Sequence, residues 1–145
     1  MIYENKNDFY ASDFENASDF DERSAEELYA EFLGKAEKTK DEFIYVYGRY
    51  YNVMTRLTGA AKDLFIWLTF RCDVNSGRAF VQSIALREAL SDLGITLSTY
   101  YKSLNILKEH DVIKGSNATY YINPAYAWKG TADMRAKFMK IYYKL

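Results

Sequence analysis

Apolar residues recur with helical spacing in five segments of the chain. Each segment follows a serine or threonine, which favours the start of a helix because its side-chain oxygen accepts a free backbone N–H. The segment after Thr58 is apolar around much of its circumference, which predicts a helix at the centre of the core. The five predicted helices begin near Ser24, Thr58, Ser83, Thr96 or Ser98, and Thr131.

Four short runs of β-branched and aromatic residues predict strands. Gly115-Ser116-Asn117 lies between the last two runs, and a turn sequence in that place indicates a β-hairpin. Tyr50-Tyr51 is expected either to continue the first run or to turn the chain. The four runs are residues 43–47, 78–81, 112–113 and 119–122.

From the central helix onward, the predicted order is helix, short strand, helix, glycine turn, helix and hairpin. This order predicts a mainly α fold with a small β-hairpin wing, that is, an α+β winged helix-turn-helix. Leu93-Gly94-Ile95-Thr96 supplies the turn. Gly94 tolerates the left-handed backbone of a sharp reversal, Ile95 fills the gap between helices, and Thr96 caps the next helix.

Charge divides the chain into two parts. Residues 1–42 hold 13 acidic and 5 basic residues, a net charge of -8, and residues 43–145 hold 7 acidic and 14 basic residues, a net charge of +7. We therefore expect an acidic N-terminal arm over residues 1–42, with an unstructured start and a helix over residues 24–38. Residues 43–145 would form the winged-helix domain with its C-terminal helix. A basic domain with an acidic arm is common in proteins that handle polyanions, although simple solubility also explains such charges.

The helix after Thr96 is the expected recognition helix. If Tyr100, Leu104 and Leu107 face the core, the opposite side of this helix is free to enter the major groove of duplex DNA. Lys102 can contact phosphate or guanine, and Asn105 can pair with adenine. The residues expected to face DNA are Leu97, Ser98, Thr99, Tyr101, Lys102 and Asn105.

The hairpin and scattered cations supply the remaining expected contacts. Lys114 and Asn117 would approach a phosphate or the minor groove, although a tight hairpin also requires residues such as Asn117. Further cations would add the salt-dependent, sequence-independent part of DNA binding. These phosphate candidates are Arg56, Arg78, Arg87, Lys108 and Lys129.

Several classes of function require residues that this sequence does not contain. Cys72 is the only cysteine, so no internal disulfide can form, and His110 is the only histidine. A nuclease with a tyrosine nucleophile commonly needs a metal held by paired histidines, and no phosphate-binding loop of an ATPase is present. We therefore expect no enzymatic activity, no cofactor and no metal. The chain shows no signal peptide and no membrane-spanning run, which favours the cytoplasm.

Two motifs resemble the RepL family of plasmid replication proteins. The run from Tyr121 to Gly130, Tyr-Ile-Asn-Pro-Ala-Tyr-Ala-Trp-Lys-Gly, directly follows the expected wing. Val46-Tyr47, and then Leu57-Thr58-Gly59 ahead of Leu64, are similar to the family's pattern before its core helix. The resemblance covers residues 43–143 and implies a winged-helix domain that helps to initiate replication of plasmid or phage DNA.

Three functions follow from this pattern. The first is sequence-directed binding of double-stranded DNA in replication, with the acidic arm either recruiting replication proteins or covering the basic face. The second is a winged-helix transcriptional regulator. The third is a protein-interaction module without DNA binding, whose last helix would use Met134, Phe138, Ile141 and Leu145 as an interface or a homodimer contact.

Overall fold

The chain alternates short helices with two small sheets, and the computed structural model describes residues 2–4, 22–34 and 44–145. Within those ranges the fold is mixed α+β, with six helices and six strands. The helices are α1 (Ala25–Gly34), α2 (Gly48–Met54), α3 (Gly59–Arg71), α4 (Ile84–Leu93), α5 (Leu97–Glu109) and α6 (Ala132–Tyr142). The strands are β1 (Ile2–Glu4), β2 (Ile44–Tyr47), β3 (Arg78–Phe80), β4 (Ile113–Ser116), β5 (Thr119–Ile122) and β6 (Ala127–Lys129).

Each sheet has three strands. In the first, β2 lies between β1, with which it runs parallel, and β6, with which it runs antiparallel. In the second, β5 lies between β3 and β4, and both pairings are antiparallel. The hairpin turn consists of Asn117 and Ala118, with φ of 54° and 71°, which is the conformation of a tight hairpin of right-handed twist. The predicted turn at residues 115–117 is therefore wrong in part, because Gly115 and Ser116 belong to β4.

The main core is built around α3. Leu64, Phe65 and Leu68 of this helix are fully buried, which confirms its predicted central position. Helices α4 and α5 and strands β3 and β6 all pack against it. The helix after Thr58 thus joins the two sheets through one hydrophobic cluster.

The turn between α4 and α5 forms as predicted. Gly94 adopts the left-handed conformation with φ of 61° at the end of α4. Thr96 precedes α5, and its side-chain oxygen accepts a hydrogen bond from the backbone N–H of Thr99 at 3.2 Å. These two residues fix where α5 begins, and therefore which of its side chains face inward.

Replacement of Thr96 by alanine is expected to lower the free energy of unfolding by about 1 kcal/mol, because the N–H of Thr99 loses its partner. Thr58 occupies the same place before α3 but makes no side-chain capping bond. Thr58→Ala is therefore the matched control, with a smaller expected loss. Urea unfolding followed by circular dichroism measures both variants, and equal losses would contradict the assignment of the cap.

A second cluster of large side chains joins α1 to α6. Phe138 lies at its centre, and Tyr29 and Phe32 of α1 pack against its ring at centroid distances of 5.8 and 5.7 Å. The Tyr29 hydroxyl donates a hydrogen bond to the Ser76 carbonyl at 2.8 Å. We call this set the aromatic cluster: Tyr29, Phe32, Tyr47, Trp128, Met134, Phe138, Ile141 and Tyr142.

The aromatic cluster bears on two expectations. Helix α1, which belongs to the expected N-terminal arm, packs against α6 in the folded body. The apolar stripe of α6 is internal packing, because Met134, Phe138 and Ile141 are buried and only Leu145 is exposed. The interpretation of this stripe as a partner interface is therefore wrong.

Three elements were not predicted. Helix α2 occupies the segment where a continued strand or a turn was expected, and β6 forms within the run that precedes α6. Strand β1 lies in the part of the arm that was expected to be unstructured. Within the expected helix over residues 24–38, the structure describes α1 over Ala25–Gly34, and the Glu27 N–H donates to the Ser24 hydroxyl at 3.2 Å. Residues 5–21 and 35–43 lie outside the described residues.

Cys72 is buried at the end of α3. It is 3% exposed, and its thiol donates a hydrogen bond to the Thr69 carbonyl at 3.1 Å. Burial raises the pKa of this thiol to about 12. Among the described helices, none has the length and apolar character needed to cross a bilayer.

Candidate nucleic-acid interface

Helix α5 has one buried side and one exposed side. Tyr100, Leu104 and Leu107 are at most 2% exposed and pack toward α3, as their spacing predicted. Ser103 is also buried on this side. The three large residues recur at intervals of four and three, so they form one stripe and leave the other side of the helix to solvent.

The exposed side of α5 carries five of the six residues that were predicted to face DNA. Leu97 and Tyr101 are 46% and 51% exposed. Thr99 differs, because it is half-buried and its hydroxyl accepts a bond from the Thr96 hydroxyl at 3.1 Å. We call the exposed set the outward face: Leu97, Ser98, Tyr101, Lys102 and Asn105.

The electrostatics of the outward face suit an anion. Between residues 97 and 108 the sequence contains Lys102 and Lys108 and no acidic residue, and the one carboxylate of α5 is the exposed Glu109 at its last position. Both lysines are exposed. The Nζ atom of Lys108 lies 5.6 Å from the ring centroid of Tyr120 on β5, so this cation sits between the helix and the hairpin.

The two hairpin residues that were predicted to contact DNA, Asn117 and Lys114, lie in different environments. Asn117 is exposed in the turn, where a duplex can reach it. The Nζ of Lys114 instead donates a hydrogen bond to the Tyr142 carbonyl at 3.0 Å and lies 4.5 Å from the Tyr142 ring centroid. Lys114 therefore ties the base of the hairpin to the end of α6, and the predicted phosphate contact does not fit this position.

The other residues that were predicted to contact phosphate also form two groups, one exposed and one packed into the fold. Arg56 and Arg87 are exposed. Arg78 is half-buried, with its guanidinium 5.3 Å from the Tyr29 ring centroid and 4.5 Å from that of Phe80. The Nζ of Lys129 donates a hydrogen bond to the Phe70 carbonyl at 3.1 Å, and the residue is only 8% exposed. Lys129 therefore binds the C-terminal end of α3, and the predicted phosphate contact does not fit this position.

Two large apolar residues are exposed at positions that the sequence analysis did not single out. Ile84 is 69% exposed in the first turn of α4. Phe80 is 51% exposed and pairs with Thr119 directly beside the hairpin turn. A hydrophobic pattern could not have identified them as surface residues, because it records hydrophobicity and not the edge where packing ends.

The described part of the chain shows no group of three or more residues that could hold a metal ion. His110 directly follows α5 as its C-cap, where its Nδ1 lies 2.9 Å from the Ile106 carbonyl. Burial raises the pKa of the Tyr100 and Tyr120 hydroxyls above the ordinary value for tyrosine.

Residues 20–145, most of the chain, match the family model of a plasmid replication protein of Firmicutes. That family is RepL, and the chain belongs to it. The matched range starts ahead of α1, in agreement with the packing of α1 into the aromatic cluster. No curated protein and no solved structure matches the chain.

Proposed function

We propose that the segment from α3 to β5 is a winged helix-turn-helix that binds double-stranded DNA during initiation of plasmid replication. Its element order is α3, β3, α4, α5, β4 and β5, and its sheet order is β3, β5, β4. A recognition helix followed by a hairpin fits this arrangement. The outward face of α5 carries the proposal, because it is exposed, cationic and free of carboxylates.

In this proposal α5 enters the major groove with its outward face toward the bases. Lys102 and Lys108 bind phosphates, Asn105 reads adenine through its amide, and Ser98 contacts a base edge or a phosphate. Asn117 in the hairpin turn reaches the backbone or the minor groove. Arg87 on α4 adds a further phosphate contact, which would help to fix the orientation of the protein on the duplex.

Replication is the role that membership of the RepL family supports. We propose that the bound protein marks the origin and brings replication proteins to it. The acidic residues Glu26, Glu27 and Glu31 are exposed on α1 and supply a surface for such proteins. The surface that binds DNA and the surface that binds replication proteins would then both belong to the same folded body.

Lys102→Ala is expected to weaken binding to random-sequence duplex and to reduce the slope of log Kd against log salt by about one, since one phosphate contact is lost. The control is Lys137→Ala on α6, whose exposed ammonium pairs with Asp133 at 2.9 Å. Fluorescence anisotropy at several salt concentrations measures both variants. An unchanged slope for Lys102→Ala would contradict its contact with phosphate.

Two further results test the proposal as a whole. Failure of the wild-type protein to bind any duplex at low salt would overturn DNA binding. A plasmid-replication assay in cells, with the protein supplied in trans, tests the role in initiation. Specific DNA binding without support of replication would favour a transcriptional regulator of the same architecture.

A further inference from the structure

Leu97 and Tyr101 form an exposed apolar pair on the outward face. They are four residues apart in the first two turns of α5, so they lie side by side on the helix surface. Their exposed fractions are 46% and 51%, which leaves about half of each side chain in water. Polar residues surround the pair, with Ser98 and Lys102 as the next residues along the chain.

The pair is held in place by buried neighbours. The Tyr101 ring meets the Tyr100 ring edge to face, with centroids 5.2 Å apart and an interplanar angle of 74°. Tyr100 itself is 1% exposed, so it gives Tyr101 a fixed support. Leu97 is the first residue of a helix whose start is fixed by the Thr96 cap. A pair positioned in this way loses little conformational freedom on binding.

The major groove offers one apolar group on its base edges, the 5-methyl group of thymine. One helical turn separates Leu97 from Tyr101, about 6 Å along the axis, and bases rise about 3.4 Å along a strand. The two side chains can therefore meet methyl groups of thymines about two base pairs apart. Asn105 lies one turn further, and its amide can both donate to and accept from adenine.

We propose that the outward face of α5 selects A·T-rich duplex, with Leu97 and Tyr101 contacting thymine methyl groups. This inference rests on the proposed function, because it requires α5 to lie in the major groove. A second copy of the chain fits the pair less well. A stable dimer buries about 800 Å² per partner, and two-fold pairing would bring Lys102 close to its own copy.

The experiment uses a random-sequence duplex pool prepared once with thymine and once with uracil. Uracil keeps every hydrogen-bonding group of thymine and lacks only the methyl group. Selection from the thymine pool is expected to return A·T-rich sites. The best selected duplex should bind about fourfold more weakly for each contacted methyl group that uracil removes, so about sixteenfold for two.

Matched variants assign this effect to the pair. Leu97→Ala and Tyr101→Ala should each lose about fourfold of the discrimination between thymine and uracil. The controls are Leu145→Ala and Tyr51→Ala, which replace residues of the same types that are 38% and 62% exposed elsewhere. Both controls should keep the full discrimination.

Three outcomes would overturn the inference, and they are distinguishable. Equal binding of thymine and uracil duplexes by a wild-type protein that binds DNA overturns the methyl contact and leaves the proposed function intact. Absence of duplex binding at low salt overturns both. A dimer in sedimentation that Leu97→Ala dissociates, without any thymine effect, assigns the pair to self-association.

Discussion

Replacement of Phe138 by alanine is expected to lower the free energy of unfolding by about 3–5 kcal/mol. The Phe138 side chain is fully buried at the centre of the aromatic cluster. Besides the two rings of α1, Trp128 lies 5.6 Å from it and Tyr142 lies 6.3 Å from it, as centroid distances. The truncation leaves a cavity that these large rings cannot fill, and it removes the main contact between α1 and α6.

Phe70 provides the matched control for this prediction. It is also a helical phenylalanine, but it is 62% exposed at the end of α3. Phe70→Ala is therefore expected to change stability by no more than about 0.5 kcal/mol. Urea unfolding followed by circular dichroism measures both, and similar losses for the two variants would show that α1 and α6 do not pack as described.

Alkaline pH is expected to destabilise the protein strongly. Burial raises the pKa of Tyr29, Tyr100 and Tyr142, and the Asp111 carboxylate raises that of Tyr142 further. In the unfolded chain these hydroxyls ionise near pH 10. Above that pH the unfolded state releases protons that the native state retains, so stability falls as pH rises. At pH 11 the loss is roughly 1 kcal/mol for each tyrosine, or several kcal/mol for the three.

Tyr142→Phe separates this effect from the titration of lysines. The variant lacks one buried hydroxyl, which donates to the Asp111 carboxylate at 3.1 Å in the wild-type protein. It should be less stable at pH 8 by about 1 kcal/mol, through the lost hydrogen bond. Between pH 8 and pH 11 the variant should lose less stability than the wild type, by roughly 1 kcal/mol. The same loss in both proteins would refute the prediction.

The helices and the hairpin could be predicted because their signals are local. The stripe of Tyr100, Leu104 and Leu107 determines the phase of α5, and the glycine turn and the threonine cap determine its start. Those observations are sufficient to predict which side of the helix is exposed. The same phase therefore identifies the outward face before any tertiary contact is known.

Elements that depend on distant contacts could not be predicted. Strand β6 exists because Trp128 pairs with Tyr45, far away in the sequence. Helix α2 begins in a sequence rich in tyrosine, which favours strands, but its Val53 is buried in the main core. Tertiary packing overrides the local preference in both places.

The lysines show which part of the candidate site could not be predicted from the sequence. Lys102, Lys114 and Lys129 are alike in the sequence, yet only Lys102 extends from the outward face. The other two fold back to carbonyl groups at the ends of α6 and α3. A long flexible side chain takes the partner that the finished fold offers, and that partner is not encoded next to it in the chain.

The burial of Cys72 makes selective labelling practical. The thiolate is the reactive form of cysteine, and this buried thiol stays protonated at neutral pH. The Cys72 thiol should therefore not react with alkylating reagents while the chain is folded. A cysteine introduced by Ser98→Cys or Asn117→Cys would be modified alone, so a fluorophore or photo-crosslinker could be placed on α5 or on the hairpin without first removing the native thiol.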